Sequence, residues 1–239
     1  WHAKVDHNFS ERDKLMARYS RYQSDEISPA AFPDPRAGGG GGAASGAPAI
    51  TDNPSHQVVV NQVHIFGPRT MNDLHLSWWQ TYPRRTPAGW GVVGTEDLGI
   101  RGMPNGREKL GTPQFSFTNF STLGSDMGAL WMELQNSYSI VNMTSLIRGR
   151  HNFRFGGEAR KIRTDSFQPN PSNTSWTFSN VFTDQRTFAA TGFDYAGFLL
   201  GLPRTFAYRI MPGPFKPRSS IYALFLQDDI RVSRKLTLN

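Results

Sequence analysis

Apolar and polar residues alternate singly over long stretches of this chain, most clearly between Trp131 and Asp165. Met132, Leu134, Tyr138 and Ile140 alternate with Glu133, Gln135, Ser137 and Ser139. Beyond the short segment Ile147–Arg150, Phe153, Phe155, Gly157 and Ala159 alternate with Asn152, Arg154, Glu158 and Arg160. A period of two sends the two sets to opposite faces of a strand. The pattern predicts two strands joined by a very short turn, one face apolar and the other wet. Each arm runs about 15 residues, against about 5–6 for an ordinary strand. Strands this long, with a polar second face, suit a transmembrane barrel around a water-filled lumen.

Three more units repeat the design. Trp1–His7 and Lys14–Gln23 flank the polar turn Asn8–Asp13, and Leu15, Ala17 and Tyr19 alternate with Lys14, Met16, Arg18 and Ser20. Gln57–Phe66 and Met71–Tyr82 flank Gly67-Pro68-Arg69-Thr70, a compact Gly/Pro turn. Leu74, Leu76, Trp78 and Tyr82 there alternate with Asp73, His75, Ser77 and Thr81. Arg218–Arg231 and Lys235–Asn239 flank Val232–Arg234; Tyr222, Leu224, Leu226 and Ile230 share one face, and Ala223, Gln227, Asp229 and Arg231 the other. Trp78, Trp79 and Tyr82 gather at the strand end far from the turn. Membrane–water interfaces select such rings, because the ring is apolar and its N–H or O–H stays wet.

Between the units the pattern breaks down. Ser24–Ser55 holds five prolines (Pro29, Pro33, Pro35, Pro48, Pro54) and the run Gly38–Gly42, which predicts a mobile loop unable to bury a core. No Lys-Ser/Thr follows the glycines, so they do not read as a phosphate cradle. Pro83–Leu130 is a second long connection, with Gln114–Ser121 predicted as a short strand inside it. Ser166–Pro217 is a third; it includes Asn170–Trp176 and Phe193–Leu202, the latter read as a short helix or a loop tucked against the barrel. Short turns thus fall on one side and long loops on the other. Compact soluble domains rarely carry several long structureless loops, whereas outer-membrane barrels combine short periplasmic turns with long external loops. The predicted fold class is all-β, an antiparallel transmembrane β-barrel segment of eight strands or partial strands. Residues 1–239 are expected to form one partial barrel domain.

Composition narrows the reading. No apolar run approaches the roughly 20 residues of a membrane helix, and the longest candidate, Phe193–Leu202, contains Asp194. There are 0 cysteines, so disulfides and thiolate metal sites are excluded, and an oxidising compartment is permitted. The net charge of +7 raises the question of nucleic acid. The basic residues are scattered, with no recognition-helix pattern and no RNP-type aromatic run beside them, so no nucleic-acid partner is expected. Trp1–His7 is polar-alternating rather than leader-like, and Lys235–Asn239 reads as a strand just beginning. Both ends lead us to expect part of a larger chain.

Candidate chemistry is sparse. The 6 histidines form no HExxH and no i, i+4 pair, so no metal site is expected. Asp228-Asp229 puts adjacent carboxylates on opposite faces of a strand, which is wrong for a general acid/base pair. No serine sits in a Gly-x-Ser-x-Gly elbow. Neither enzymatic activity nor a cofactor is expected. What remains is recognition. Glu133, Gln135, Arg154, Glu158, Arg160, Gln227, Asp229 and Arg231 are the expected lumen-facing residues, and the loop aromatics Phe32, Trp90 and Trp176 the expected ligand contacts.

Specific runs carry a family likeness. Tyr222-Ala223-Leu224-Phe225-Leu226-Gln227-Asp228-Asp229-Ile230-Arg231-Val232 with Leu236-Thr237-Leu238-Asn239 resembles the barrel signature of TonB-dependent outer-membrane receptors. The likeness is to their Oar-like branch, whose members carry a carboxypeptidase-regulatory-like domain. His151-Asn152-Phe153-Arg154-Phe155-Gly156-Gly157-Glu158 is similar to that family's strand after a periplasmic turn. Phe193–Pro203 resembles a loop motif of the branch, and Asp6–Asp13 with Met16–Ser20 resembles its hairpins. The resemblance spans nearly the whole chain. It implies a place in the outer membrane of a Gram-negative bacterium, in contact with its lipid, and a segment of a 22-stranded barrel. It further implies a plug, absent from this sequence, that engages the TonB–ExbB–ExbD complex. The implied activity is energised uptake of a scarce nutrient, an oligosaccharide, peptide or chelate. Two other readings stand beside it: a secreted β-sandwich that binds or cleaves polysaccharide, and a structural or adhesive outer-membrane protein. A β-sandwich would place Leu74, Tyr138 and Phe153 in a common dry core; a barrel would turn them outward on one curved sheet.

Overall fold

The computed structural model describes residues 1–29, 49–87, 89–103, 109–125, 130–168, 174–185, 187–188, 191–208, 210 and 213–239. Phe32 and the run Gly38–Gly42 lie outside them. In chain order the strands are β1 (His2–Asn8), β2 (Asp13–Ser28), β3 (Ala49–Gly67), β4 (Thr70–Thr81), β5 (Arg84–Pro87), β6 (Gln114–Ser116), β7 (Trp131–Arg148) and β8 (His151–Phe167). β9 (Ser175–Thr177), the helix α1 (Asp194–Leu199), β10 (Thr205–Ala207), β11 (Arg218–Arg231) and β12 (Thr237–Leu238) follow. Among the described residues no helix is long and apolar enough to cross a membrane, which says nothing of crossing by strands.

The long strands form one antiparallel sheet in the order β1-β2-β3-β4-β7-β8-β11-β12, with β5 pairing β3 and β7. The predicted hairpins are present. The turn between β7 and β8 is tighter than predicted, because Ile147 and Arg148 still pair with Asn152 and His151; Gly149 supplies its left-handed residue at φ 63°. β4 ends at Thr81, one residue short of Tyr82. The segment Ser24–Ser55, read as loop throughout, is strand at both ends. β2 continues to Ser28 and β3 starts at Ala49, paired from Ser28↔Ala49 to Ser24↔Asn53. Pro54 is tolerated because it faces the break between β4 and β5, where no ladder needs its missing N–H and its carbonyl accepts from the Tyr82 N–H at 3.0 Å. These strands, of 16 and 19 residues, are longer than the roughly 9–11 that a bilayer crossing requires.

Register converts the alternation into two surfaces. One row runs Val5–Ala17–Val60–Leu76–Ile140–Ala159–Tyr222 across seven strands, every residue carrying its side chain to the same face. Leu74, Tyr138 and Phe153 share that face, and Tyr138 is exposed rather than packed in a dry core. The two-sheet sandwich is thereby excluded. β8 carries Gly156-Gly157 in the middle of the sheet. A Cβ on Gly156 would stand 2.0 Å from the Asn142 carbonyl oxygen, so close backbone approach dictates glycine there.

The second and third long connections pair with each other. β9 lies between β6 (parallel, Phe115↔Trp176) and β10 (antiparallel, Phe206↔Trp176), so the two connections share one small sheet. Only Gln114–Ser116 of the predicted strand Gln114–Ser121 is a strand. Phe193–Leu202 contains the helix α1, which packs in this cap. Phe198 meets Phe115 at 5.5 Å and Phe178 at 5.2 Å between ring centroids. Gly124 is required here as well, at φ 88° with its Cβ position 1.8 Å from the Pro113 carbonyl oxygen.

Candidate functional site, a polar wall and a loop cap

The apolar face ends in polar rows on both sides. Toward the long loops, the row Tyr19–Val58–Trp78–Tyr138 borders the row Arg21–His56–Gln80–Asn136–Arg163–Arg218. Each aromatic uses its polar tip or ring face against that border. The Tyr19 hydroxyl and His56 Nδ1 are 2.7 Å apart, Trp78 Nε1–H donates to Asn136 Oδ1 at 3.2 Å, and the Arg163 guanidinium stands over the Tyr138 ring at 5.9 Å. This matches the wet-tipped aromatics of an interface. Trp79, adjacent in sequence, points to the opposite face and is no part of this row. Toward the short turns, Asp13–His64–Asn72–Thr144 forms the other polar border, with His64 Nδ1 at 2.5 Å from Asp13 Oδ1. Outside the belt on the loop side, Asp52 pairs with Arg84 and holds its guanidinium above the ordinary value.

The opposite face carries all eight predicted wall residues, but not as one constellation. Glu158 and Arg160 form an ion pair at 2.6 Å near mid-sheet. Gln227 is opposite Arg154 and donates to Asp229 Oδ1 at 3.0 Å near the turns. Glu133 and Gln135 lie at the loop end of β7, and Arg231, opposite Arg150, at the far end. Asp228 points to the apolar face and meets His151 Nδ1 at 2.7 Å, separated from Asp229 as the strand period requires. Residues not singled out from the sequence join this wall: Asn61 bonds Asp73, and His75 Nε2 lies 3.0 Å from the same carboxylate. The face is less uniformly polar than the alternation implied. Val63, Met143 and Phe225 interrupt it near the turns, in one row with Gly156.

The cap holds an apolar cavity of about 490 Å³, within the size range of small-molecule pockets. Phe115, Phe178, Phe198 and Trp176 line it together with Leu98 and Leu123. Of the predicted ligand contacts, Trp176 is therefore in a pocket wall, with Phe206 packed on it at 4.3 Å. Trp90 bridges to Leu110 and does not line the cavity; Phe32 is outside the described residues. Asp194, 0% exposed, fixes the cavity's scaffold, accepting from the Asn119 N–H at 2.7 Å and the Tyr195 N–H at 2.8 Å. It ties one connection to the other. In the sequence Asp194 stands out only as the carboxylate inside the apolar run Phe193–Leu202, and nothing local points to its partner Asn119, more than 70 residues away. Among the described residues no three His, Asp or Glu converge as a metal-ligating group.

A family model described as an outer membrane beta barrel domain matches residues 1–239. No curated protein and no solved structure matches the chain. The chain belongs to the outer-membrane β-barrel family, and its place is the outer membrane.

Proposed function

From this membership, we propose that the chain is the wall and cap of a TonB-dependent receptor, which takes up a scarce nutrient without covalent chemistry. In this reading the apolar face meets acyl chains and the polar face lines the lumen. The turns are periplasmic and the cap is external. The observation that carries the proposal is the cap cavity, a preformed pocket on the loop side above a wall of charged and amide side chains. A purely structural barrel needs no such pocket. Cargo captured there would pass to the lumen when the TonB–ExbB–ExbD complex pulls a plug aside. The interruption by Val63, Met143 and Phe225 offers an apolar patch against which a plug can pack. The aromatic lining favours an apolar or aromatic portion of the cargo over a fully polar one, whether the cargo is an oligosaccharide, a peptide or a chelate.

The test is untargeted profiling of culture medium. Strains lacking this protein, lacking TonB, or carrying Trp176→Ala with Phe198→Ala should leave unconsumed a compound that the parent strain depletes. Depletion that needs the protein but not TonB would sink energised uptake. No depleted compound at all, with a loss of surface attachment instead, would favour the structural reading.

A further inference from the structure

The apolar face is not smooth. A groove of about 440 Å³ crosses it, floored by Val60, Ile140 and Ala159 and walled by Trp78, Tyr138 and Tyr222. Its depth has a sequence cause. Ala159 stands in the same row as Ile140 and Tyr222, and Gly157 lies two residues along, so β8 contributes almost no side-chain height between tall aromatic neighbours. The loop-side end of the groove is closed by Lys161, which lies opposite Tyr138.

Lys161 is an unusual residue to find there. It occupies the aromatic border row itself, and Arg163 stands two residues further toward the loops. A cation on a lipid-contacting surface is costly toward mid-bilayer and tolerated at the interface, where a long side chain can reach headgroups. The carboxylates nearby on this face are already engaged. Asp165 binds Arg218 at 2.6 Å, and Asp52 binds Arg84. Among the described residues Lys161 and Arg163 make no ion pair, and the Arg163 guanidinium is held over the Tyr138 ring, beside the mouth of the groove.

We propose that this groove binds an anionic lipid of the outer leaflet, with an acyl chain along Ile140 and Ala159 and a phosphate on Lys161 and Arg163. Charge complementarity selects the occupant. An apolar slot capped by two uncompensated cations fits a chain that ends in a phosphate. A neutral or zwitterionic lipid would leave both cations without an equal counter-charge. The long-loop side is external, so the phosphate belongs to the outer leaflet. The site rests on the apolar face meeting lipid, and is independent of what the cap binds.

The experiment uses the intact protein carrying this chain, extracted from outer membranes, exchanged into mild detergent and titrated by native mass spectrometry. Three probes are compared: diphosphorylated lipid A, the same glycolipid after enzymatic removal of its phosphates, and inorganic phosphate. Lipid A should bind, and the dephosphorylated form and inorganic phosphate should each bind at least about ten-fold more weakly. Lys161→Gln with Arg163→Gln should weaken lipid A on the order of thirty-fold, from the usual contribution of two interfacial cations. Lys4→Gln with Arg18→Gln, on the opposite face, should change nothing. Ala159→Leu, which raises the groove floor without touching charge, should weaken lipid A and leave inorganic phosphate unaffected, so it tests the site even if the double variant folds poorly. Equal binding of both glycolipids, or full retention by the Lys161 and Arg163 variant, would overturn the proposal; so would displacement of lipid A by inorganic phosphate alone. Cargo uptake is not the readout, so failure here would leave the transport reading standing.

Discussion

Leu224 in β11 is 92% exposed, whereas Phe178 in the cap is 3% exposed, although both are large apolar side chains in one protein. The contrast extends to their surroundings. The buried apolar residues Val93, Leu110, Leu130 and Phe178 lie in the long connections, and Ala49 at the loop end of β3. The spanning strands instead present Val5, Leu76, Ile140, Tyr222 and Leu226 outward. The cap solves the problem of a protein in water, hiding apolar area from solvent at about 25 cal/mol per Å². The sheet solves the problem of a protein in lipid, where backbone groups must pair within the wall and apolar side chains gain by being outside. One chain thus folds under two solvents, and the border between them is the row of Tyr19, Trp78 and Tyr138.

Substitutions can break this contrast in graded ways. The largest effect is expected in the cap. Phe178→Ala should cost about 3–5 kcal/mol, the usual range for emptying a buried aromatic site. Hydrogen exchange should then show residues 174–207 deprotected while the strands stay protected. Simultaneous loss of strand protection would mean that cap and sheet are one cooperative unit.

The sheet should respond to charge rather than to volume. Ile140→Arg, near the middle of the belt, should destabilise by about 2–4 kcal/mol in urea titrations of protein in bilayers, and Ser139→Arg on the other face by far less. The reverse order would exchange the two faces. Gly156→Ala should cost about 1–3 kcal/mol by overpacking, because its new methyl meets a backbone carbonyl that cannot move aside. Gly157→Ala should cost less, since the Leu224 tip 2.7 Å away can rotate aside and the backbone it meets, the Ala223 carbonyl oxygen at 2.9 Å, is farther off than the 2.0 Å contact at Gly156. Equal costs would show that the sheet can flex at this point.

The smallest effect is expected at the border. Asn136 accepts hydrogen bonds from Trp78 Nε1 and from Gln80 Nε2 at 3.0 Å. Asn136→Ala should cost about 0.5–1.5 kcal/mol, with a change in Trp78 fluorescence as its ring loses its anchor. No change in either readout would remove the border row from the argument.

How much of this was legible in the sequence follows the same division. Face assignments in β7, β8 and β11 come directly from a period of two, because every residue in a ladder alternates whatever its neighbours are. The eight wall residues therefore fell on one face as read. The limits of β2 and β3 were hidden, since Ser24–Ser28 and Ala49–Ser55 have weak strand propensity and are ordered by pairing with each other. The cap was the least legible. Its contacts, such as Asn119 with Asp194, join segments far apart in sequence, and its core residues follow no period. Gln114–Ser121 and Phe193–Leu202 were recognised as elements, but nothing local showed that they share one core.

The assignment of faces to solvents can be read one residue at a time, because a chain with 0 cysteines accepts single cysteines cleanly. Cysteines placed in turn at positions 137 to 141 of β7, labelled with a fluorophore and reconstituted with lipids brominated in their acyl chains, report contact with the bilayer core. Strong quenching is predicted at Tyr138→Cys and Ile140→Cys, and weak quenching at Ser137→Cys, Ser139→Cys and Val141→Cys. Quenching with the opposite phase, or with no alternation at all, would contradict a membrane wall built from these strands.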